Sequence, residues 1–300
     1  MPLLVVGSVA LDCIETPSER REDVLGGSAV HFSYAASFFS KARIVGVVGE
    51  DWPQHHTRLL TERGIDVDGL DVVKGGKTFR WTGKYHPNMN DRDTLEVHLN
   101  VLGDFDPKLP AKYRDSKFVF LGNAAPTTQL KVLDQVPDAT LTVADTMDLW
   151  INIQHDELLA LLRRVDGLVL NDVEAKLLAD DENLVRAGQK VLSMGPKFII
   201  IKKGEHGAMF FSAKDRFVMP AYPTDRVIDP TGAGDSFAGG MMGFLAEQGK
   251  LDAQSLKHAL AYATVIASFN VEDFSLDRLK GLTRTDIDRR FNDYRQMLAF

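Results

Sequence analysis

A chain of 300 residues with 44% apolar side chains is long enough for one large α/β domain or two smaller ones. Its net charge of −7, without a long basic run, excludes an electrostatic footprint for nucleic acid, which needs clustered Lys and Arg. The single Cys13 excludes an intramolecular disulfide and a cysteine-rich metal site. No uninterrupted apolar run approaches the ~18 residues of a spanning helix, and Met1-Pro2-Leu3-Leu4-Val5-Val6 lacks the basic segment of a signal peptide. The expectation is a cytoplasmic protein without membrane or nucleic-acid partners.

In chain order, short runs rich in Val, Ile, Leu and Phe fall at 3–7, 43–49, 117–122, 140–145, 167–170 and 197–203. Helical patterns at 28–39, 52–63, 129–136, 153–164 and 173–194 separate them. This alternation predicts a buried, mainly parallel sheet with right-handed crossovers. No repeat or inter-domain linker interrupts 1–300, so one domain is expected. Ligands then gather at the strands' carboxyl ends, where Gly7, Gly122 with Asn123, Asp145, Asn171 and Gly204 fall.

Residues 77–85 and 94–101 break the pattern by alternating polar and apolar side chains around the turn-rich 86–93. They predict a hairpin inserted at about 72–102. Gly75-Gly76-Lys77-Thr78 has the end of a phosphate-binding loop but is followed by a strand pattern, so a hairpin turn is expected. The first strand lacks the later glycines of a dinucleotide fingerprint. Ser236 has no Gly-x-Ser-x-Gly elbow and is expected to hydrogen-bond locally, and His55-His56 reads as two solvated histidines.

The segment Asp229-Pro230-Thr231-Gly232-Ala233-Gly234-Asp235-Ser236 is a glycine-rich turn with two carboxylates, running into an apolar helical pattern. Unpaired N–H groups at a helix start face an anion, and Asp235 falls in the first turn beside them. Gly232 and Gly234 permit close ligand approach, Pro230 fixes the entry, and Thr231 is a candidate N-cap. In a loose phosphoryl transition state the enzyme mainly positions groups and balances charge. One carboxylate that orients a hydroxyl and accepts its proton is then sufficient, and Asp235 fits that role. The alternative is an ordinary glycine-rich helix start with an acidic first turn.

The full string to Gly240 resembles the C-terminal signature of the ribokinase-like carbohydrate kinases, the PfkB family. The resemblance extends along nearly the whole chain through Gly7-Ser8-Val9-Ala10-Leu11-Asp12, Gly26-Gly27-Ser28-Ala29-Val30-His31, Asn171-Asp172-Val173-Glu174 and Lys203-Gly204-Glu205-His206-Gly207. It implies a three-layer α/β/α fold with a small β lid. It also implies an ATP- and Mg²⁺-dependent kinase acting on a hydroxyl of a small sugar or polyol, with K⁺ an optional addition. By this resemblance Asp235 is the catalytic base and Gly232, Ala233 and Gly234 form the anion hole. Asp12, Gly26, Gly27, His31 and Asn123 bind the acceptor. Asn171, Glu174, Lys203, Gly204, Gly207 and Thr231 serve the nucleotide, with Glu174 reaching Mg²⁺ through water and Asp229 beside a monovalent cation. The lid implies a homodimer, and Phe79, Trp81, Tyr85 or His98 facing substrate or partner.

Other readings of these residues stay open. Asp12, placed just past the first strand, also fits a loop acid capping the next turn. Asn171 and Glu174 fit a helix cap, Lys202 and Lys203 fit solvated strand-end charges, and Asp229 fits a loop brace. Ser28 and His31 stand where ribokinase carries a lysine and a sugar-binding asparagine, which argues against ribose. Residues 267–274 lack the glycine of the monovalent-cation loop. A nucleoside or inositol kinase of the same fold, or a non-catalytic sugar- or nucleotide-sensing protein, are the alternatives.

Overall fold

The apolar runs become strands buried on both faces. In Leu3–Val6 and Phe118–Leu121 every residue is buried. Alternate side chains divide between two cores: Leu3, Val5, Phe118 and Phe120 enter one, while Leu4, Val6, Val119 and Leu121 enter the other. A period of two with both faces apolar requires helices on both sides, which is the physical origin of a three-layer architecture.

The computed structural model describes residues 1–299. Its strands are β1 (Leu3–Val6), β2 (Ala10–Glu15), β3 (Arg20–Gly26), β4 (Ala42–Gly49), β5 (Asp66–Val73), β6 (Phe79–Tyr85), β7 (Arg92–His98), β8 (Phe118–Leu121), β9 (Leu141–Asp145), β10 (Gly167–Asn171), β11 (Phe198–Lys202), β12 (Ala208–Ser212) and β13 (Arg216–Met219). Nine form one sheet in the order β13-β12-β11-β10-β9-β8-β1-β4-β5. Pairing is parallel from β5 to β11 and antiparallel at β12 and β13. Among the described residues no helix is long and apolar enough to cross a membrane.

On one face the helix Ala233–Gln248 packs between Ser28–Ala36 and Ala253–Asn270. Its glycines permit near backbone contact. A Cβ on Gly239 would lie 2.2 Å from the Phe32 carbonyl oxygen, and one on Gly243 2.8 Å from Ala36 Cα. The position of Asp235, in the first turn of that helix, is therefore set by backbone packing rather than by flexible side chains.

Several sequence expectations need correction. The predicted hairpin is half of a separate four-stranded sheet, β3-β2-β6-β7. Asp12 thus lies within β2 and not in a loop after a strand. Val72 and Val73 belong to β5 of the large sheet, and Asn100–Leu102 is a single 3₁₀ turn. The helix expected over 173–194 is two, Asp172–Ala179 and Leu184–Ser193, divided at left-handed Asp180 (φ 46°), with Asn183 capping the second. The pattern at 153–164 is realised as His155–Leu162, and a short helix that was not expected, Asp148–Ile153, precedes it. Of the paired histidines, His56 is half-buried, and burial lowers its pKa to about 4. Gly75, with φ 71°, lies in a turn between β5 and β6, but those strands belong to different sheets, so the turn is a sheet-to-sheet connection and not the hairpin turn expected.

Candidate active site

The glycine loop is held from behind by the segment that follows the next helix. Asp229 is fully buried, and its two carboxylate oxygens accept the Thr231 amide at 2.9 Å and the Ser275 amide at 3.2 Å. Asn270 Nδ2 donates to the Thr231 carbonyl at 2.9 Å, while Asn270 Oδ1 accepts the Ser236 hydroxyl at 2.8 Å. The Ser236 partner is therefore distant in sequence, contrary to the local bond expected. Gly232, not Thr231, is the N-cap of the helix, at φ 74°. A Cβ there would fall 2.2 Å from the His31 Cγ, so the buried imidazole lies directly against the loop. Neither His31 ring nitrogen has a hydrogen-bond partner among the described residues, and burial pulls its pKa down to about 4.

Four ionisable groups meet in front of the loop: Asp145 from the end of β9, Glu174 from the Asp172–Ala179 helix, Lys202 from the end of β11, and Asp235. Lys202 Nζ lies 3.6 Å from Asp145 Oδ2. A Cβ on Gly234 would lie 2.9 Å from the same ammonium. Burial acts to lower the Lys202 pKa, but Asp145, Glu174 and Asp235 together overcome it and hold the pKa above its ordinary value. Asp235 is raised to about 7, first by burial and then by repulsion from Asp145, against the pull of Lys202 and Arg92. Asp235 is only partly buried, so it is crowded by protein yet keeps some surface for a ligand.

Glu174 completes a capping box. Its amide donates to Asn171 Oδ1 and its Oε2 accepts the Asn171 amide, each at 2.7 Å. The capping reading is thus realised, and one Glu174 oxygen is left over. Burial, then Asp145, raises its pKa to about 7.

The acceptor candidates line the other side. Asp12 is buried, its Oδ1 has no partner among the described residues, and its pKa is raised to about 8 by burial and by the Asp229 and Asp235 charges. Gly26 is required beside it, because a Cβ would lie 1.9 Å from Asp12 Oδ2, and Gly27 opens the next helix at φ 98°. Asp12 pairs in register with Trp81 on β6, so both side chains share one face of the small sheet. Asn123 is engaged locally: its Oδ1 accepts the Trp150 indole N–H at 2.8 Å and its Nδ2 lies 3.0 Å from Met147 Sδ.

On the opposite wall, Gly204 (φ 52°) and Gly207 (φ 82°) bound a 3₁₀ turn after β11, and the Lys203 amide donates to the Gly207 carbonyl at 2.7 Å. Lys203 stays outside the carboxylate cluster that Lys202 enters.

A family model, the pfkB family carbohydrate kinase, matches residues 2–278. The chain belongs to this family. A cytidine kinase of Thermococcus kodakarensis is 27% identical over 81% of this chain and 87% of its own length. The fold matches a Burkholderia thailandensis nucleoside kinase in complex with inosine, at 22% identity and a TM-score of 0.83 over 97% of both chains. It also matches an E. coli chain described as a ribokinase II in complex with ATP and Mg²⁺, at 20% identity and 0.78, over 97% of this chain and 99% of that one.

This PfkB-family protein is a phosphotransferase with an alcohol acceptor and a ribokinase-like fold. Two residues of its site were missed from the sequence: Lys202 and Asn270. Lys202 is separated from Lys203 only by the pairing of Lys202 with Asn171 on β10. Asn270 carries no local signal, because it reaches the loop only through bonds to Thr231 and Ser236, which are distant in sequence.

Proposed function

We propose that this kinase transfers the γ-phosphoryl group of ATP, with Mg²⁺, to a ribose hydroxyl of a nucleoside. The observation that carries the acceptor choice is the register of Asp12 with Trp81. A buried carboxylate with a free oxygen suits a vicinal diol, and an indole on the same face, one strand away, suits a flat base. The indole lies over Gly83, where a Cβ would come within 1.9 Å of Trp81 Cη2. A free sugar has no use for that surface. The cytidine and nucleoside kinases among its relatives support the same reading.

In this mechanism Asp12, Gly26 and Gly27 hold the ribose, with His31 packed behind the glycine loop. Asp235 takes the hydroxyl proton as the oxygen–phosphorus bond forms, and the bond to the ADP leaving oxygen breaks with its electron pair. The amides of Gly232, Ala233 and Gly234 receive the phosphoryl oxygens at the helix start. The turn bounded by Gly204 and Gly207, with Lys203 behind it, forms the nucleotide wall. Asn123 holds the 147–150 turn, and Asp229 braces the loop through Thr231; we assign no cation to it, because both its oxygens already accept amides.

The residues fit a magnesium ion. Asp145, Glu174 and Asp235 supply hard oxygens with Lys202 as the single nearby ammonium, and among the described residues no preformed cluster holds an ion directly. That suits Mg²⁺, which keeps several waters and binds through few carboxylates plus substrate phosphates. When bound it neutralises phosphate charge; Glu174, oriented by Asn171, would hold its water shell.

The expected dimer contact is the outer edge of the small sheet, where Leu95, Val97 and Leu99 are about half exposed. A reducing cytoplasm suits the free thiol of Cys13. The test of the function is ADP release with ATP and Mg²⁺ across nucleosides, free pentoses, hexoses and inositols, with Asp235→Asn as the blank. Stimulation by a nucleoside that vanishes in the variant supports the proposal. Stimulation by a free sugar alone overturns the acceptor, and a full rate in Asp235→Asn overturns the mechanism.

A further inference from the structure

Among the described residues, Ser275 is the one non-glycine residue that is both buried and left-handed, at 6% exposed and φ 53°. A serine in that region of backbone space is strained, and it persists only where its surroundings over-determine it. Two bonds do so here. The Ser275 amide donates to Asp229 Oδ2 at 3.2 Å, and its hydroxyl donates to the Leu25 carbonyl, 250 residues earlier in the chain.

These two partners belong to opposite halves of the site. Asp229 holds the glycine loop through the Thr231 amide at 2.9 Å. Leu25 directly precedes Gly26 and Gly27, and Gly26 abuts Asp12, where a Cβ would lie 1.9 Å from Oδ2. Burial first, and then the Asp229 charge, raise the Asp12 pKa to about 8, which places the two carboxylates near each other. The segment around Ser275 is fastened on both sides. Phe274 is buried in a small core with Ile14 of β2 and Tyr85 of β6, and Arg21 of β3 lies 4.4 Å over its ring. The Val271 carbonyl accepts the Ile228 amide at 2.7 Å and the Asp229 amide at 3.3 Å. A brace for the loop alone would be better served by glycine, which adopts this backbone without strain and still donates its amide to Asp229. The hydroxyl is what serine adds, and it reaches only the acceptor side.

We propose that Ser275 is a positioning residue that fixes the acceptor turn at Gly26-Gly27, and Asp12 beside it, relative to the glycine loop. The inference rests on the phosphoryl-transfer reading above. Ser275 touches no substrate and exchanges no proton; the acceptor proton goes to Asp235 and the electron pair to the ADP oxygen. In-line transfer needs the acceptor oxygen held against the phosphorus, and a displacement of about 1 Å costs on the order of 10²-fold. The acceptor is held from the small sheet and the phosphoryl group from the helix start after Gly232, so the relative placement of those two elements sets the rate.

The experiment compares wild type, Ser275→Ala, Ser275→Gly and Asp235→Asn. ADP release with ATP and Mg²⁺ is measured with cytidine or inosine, or with a free sugar where that alone is phosphorylated, and melting temperature is recorded for each protein. Both Ser275 variants keep the amide bond to Asp229 and lose only the hydroxyl. The acceptor kcat/KM is expected to fall roughly 10- to 100-fold in both, while the ATP KM moves less than ~3-fold. Ser275→Gly is expected to melt above Ser275→Ala, because glycine accepts the left-handed backbone, so stability and activity separate. An acceptor kcat/KM within ~3-fold of wild type, a loss that Ser275→Gly repairs together with the melting temperature, or equal losses on ATP and acceptor overturns the proposal. If wild type shows no Asp235-dependent turnover, the phosphoryl-transfer reading falls and this inference with it; normal Asp235 dependence with unaffected Ser275 variants removes this inference alone.

Discussion

The Tyr85 phenol and the Thr231 hydroxyl lie 3.1 Å apart, which bonds the small sheet to the glycine loop across 146 residues of sequence. Tyr85 is 5% exposed, and burial pushes its pKa up to about 12, so the phenol stays neutral at working pH. Tyr85→Phe keeps the ring and removes the bond, at an expected cost of about 1 kcal/mol in urea unfolding. The nucleoside KM should rise, because the sheet that carries Asp12 loses its tether to the loop. A KM and unfolding midpoint both equal to wild type contradict this.

Gly232→Ala is expected to damage the site for two separable reasons. The residue has φ 74°, and the new Cβ would meet His31 Cγ at 2.2 Å. The left-handed backbone alone costs about 1 kcal/mol, and the clash adds roughly 1–3 kcal/mol. In a His31→Ala background the second part should disappear, so the two substitutions are expected to be less harmful together than their sum. Additive losses in a double-mutant cycle contradict the contact.

Lys202→Met should destabilise more strongly than any exposed lysine substitution. The Asp145–Lys202 pair is 8% and 18% exposed, and removing one member of a buried pair costs about 3–5 kcal/mol by leaving the other uncompensated. Because Asp145, Glu174 and Asp235 all face that ammonium, the loss should be larger at pH 9 than at pH 6, where protonation relieves it. Equal losses at both pH values count against the cluster.

Asp12, Glu174 and Asp235 have pKa values raised to about 8, 7 and 7. In the unfolded chain such groups titrate near ~4, so the folded state binds more protons in between. Their contribution is full below ~4 and is lost as pH rises through 7 to 8. Without Mg²⁺, the melting temperature is expected to fall from pH 5.5 to pH 9, and Asp12→Asn should flatten the fall. A variant as steep as wild type means Asp12 is not the group that titrates.

Trp81→Ala separates nucleoside from sugar. Loss of a stacking partner is worth about 1–3 kcal/mol per base, so the nucleoside kcat/KM should fall roughly 10- to 100-fold. Any activity on free ribose should be nearly unchanged, since ribose does not reach the indole. Parallel losses on both substrates mean that Trp81 only supports the sheet.

The site was legible in the sequence where its chemistry is contiguous. Gly232, Ala233, Gly234 and Asp235 lie in one turn, and Asn171 and Glu174 are three residues apart on one helix end, so local rules suffice to read them. Lys202 was not separated from Lys203, because adjacent strand residues face opposite ways and only the pairing of Lys202 with Asn171 shows which faces the carboxylates. Asp12 was recognised as a site residue but placed in a loop. The β2 strand pairs with β3 and with β6, the latter more than fifty residues later, and neither β2 nor β3 reads as part of the large sheet's alternation.

By itself the sequence determined the alternation of β1, β4 and β8 to β11 with helices, the mainly parallel sheet and the glycine turn with its carboxylate. Each of these is encoded in periodicity or short-range backbone preference. Only the tertiary structure decided that Asp12, Trp81, Tyr85 and Arg92 share one face, and that Asn90 and Tyr85 carry that face across the cleft. A one-residue change of register turns every side chain of a strand to the other side, and the register of β2 on β6 is set by packing between distant segments, which no local pattern records.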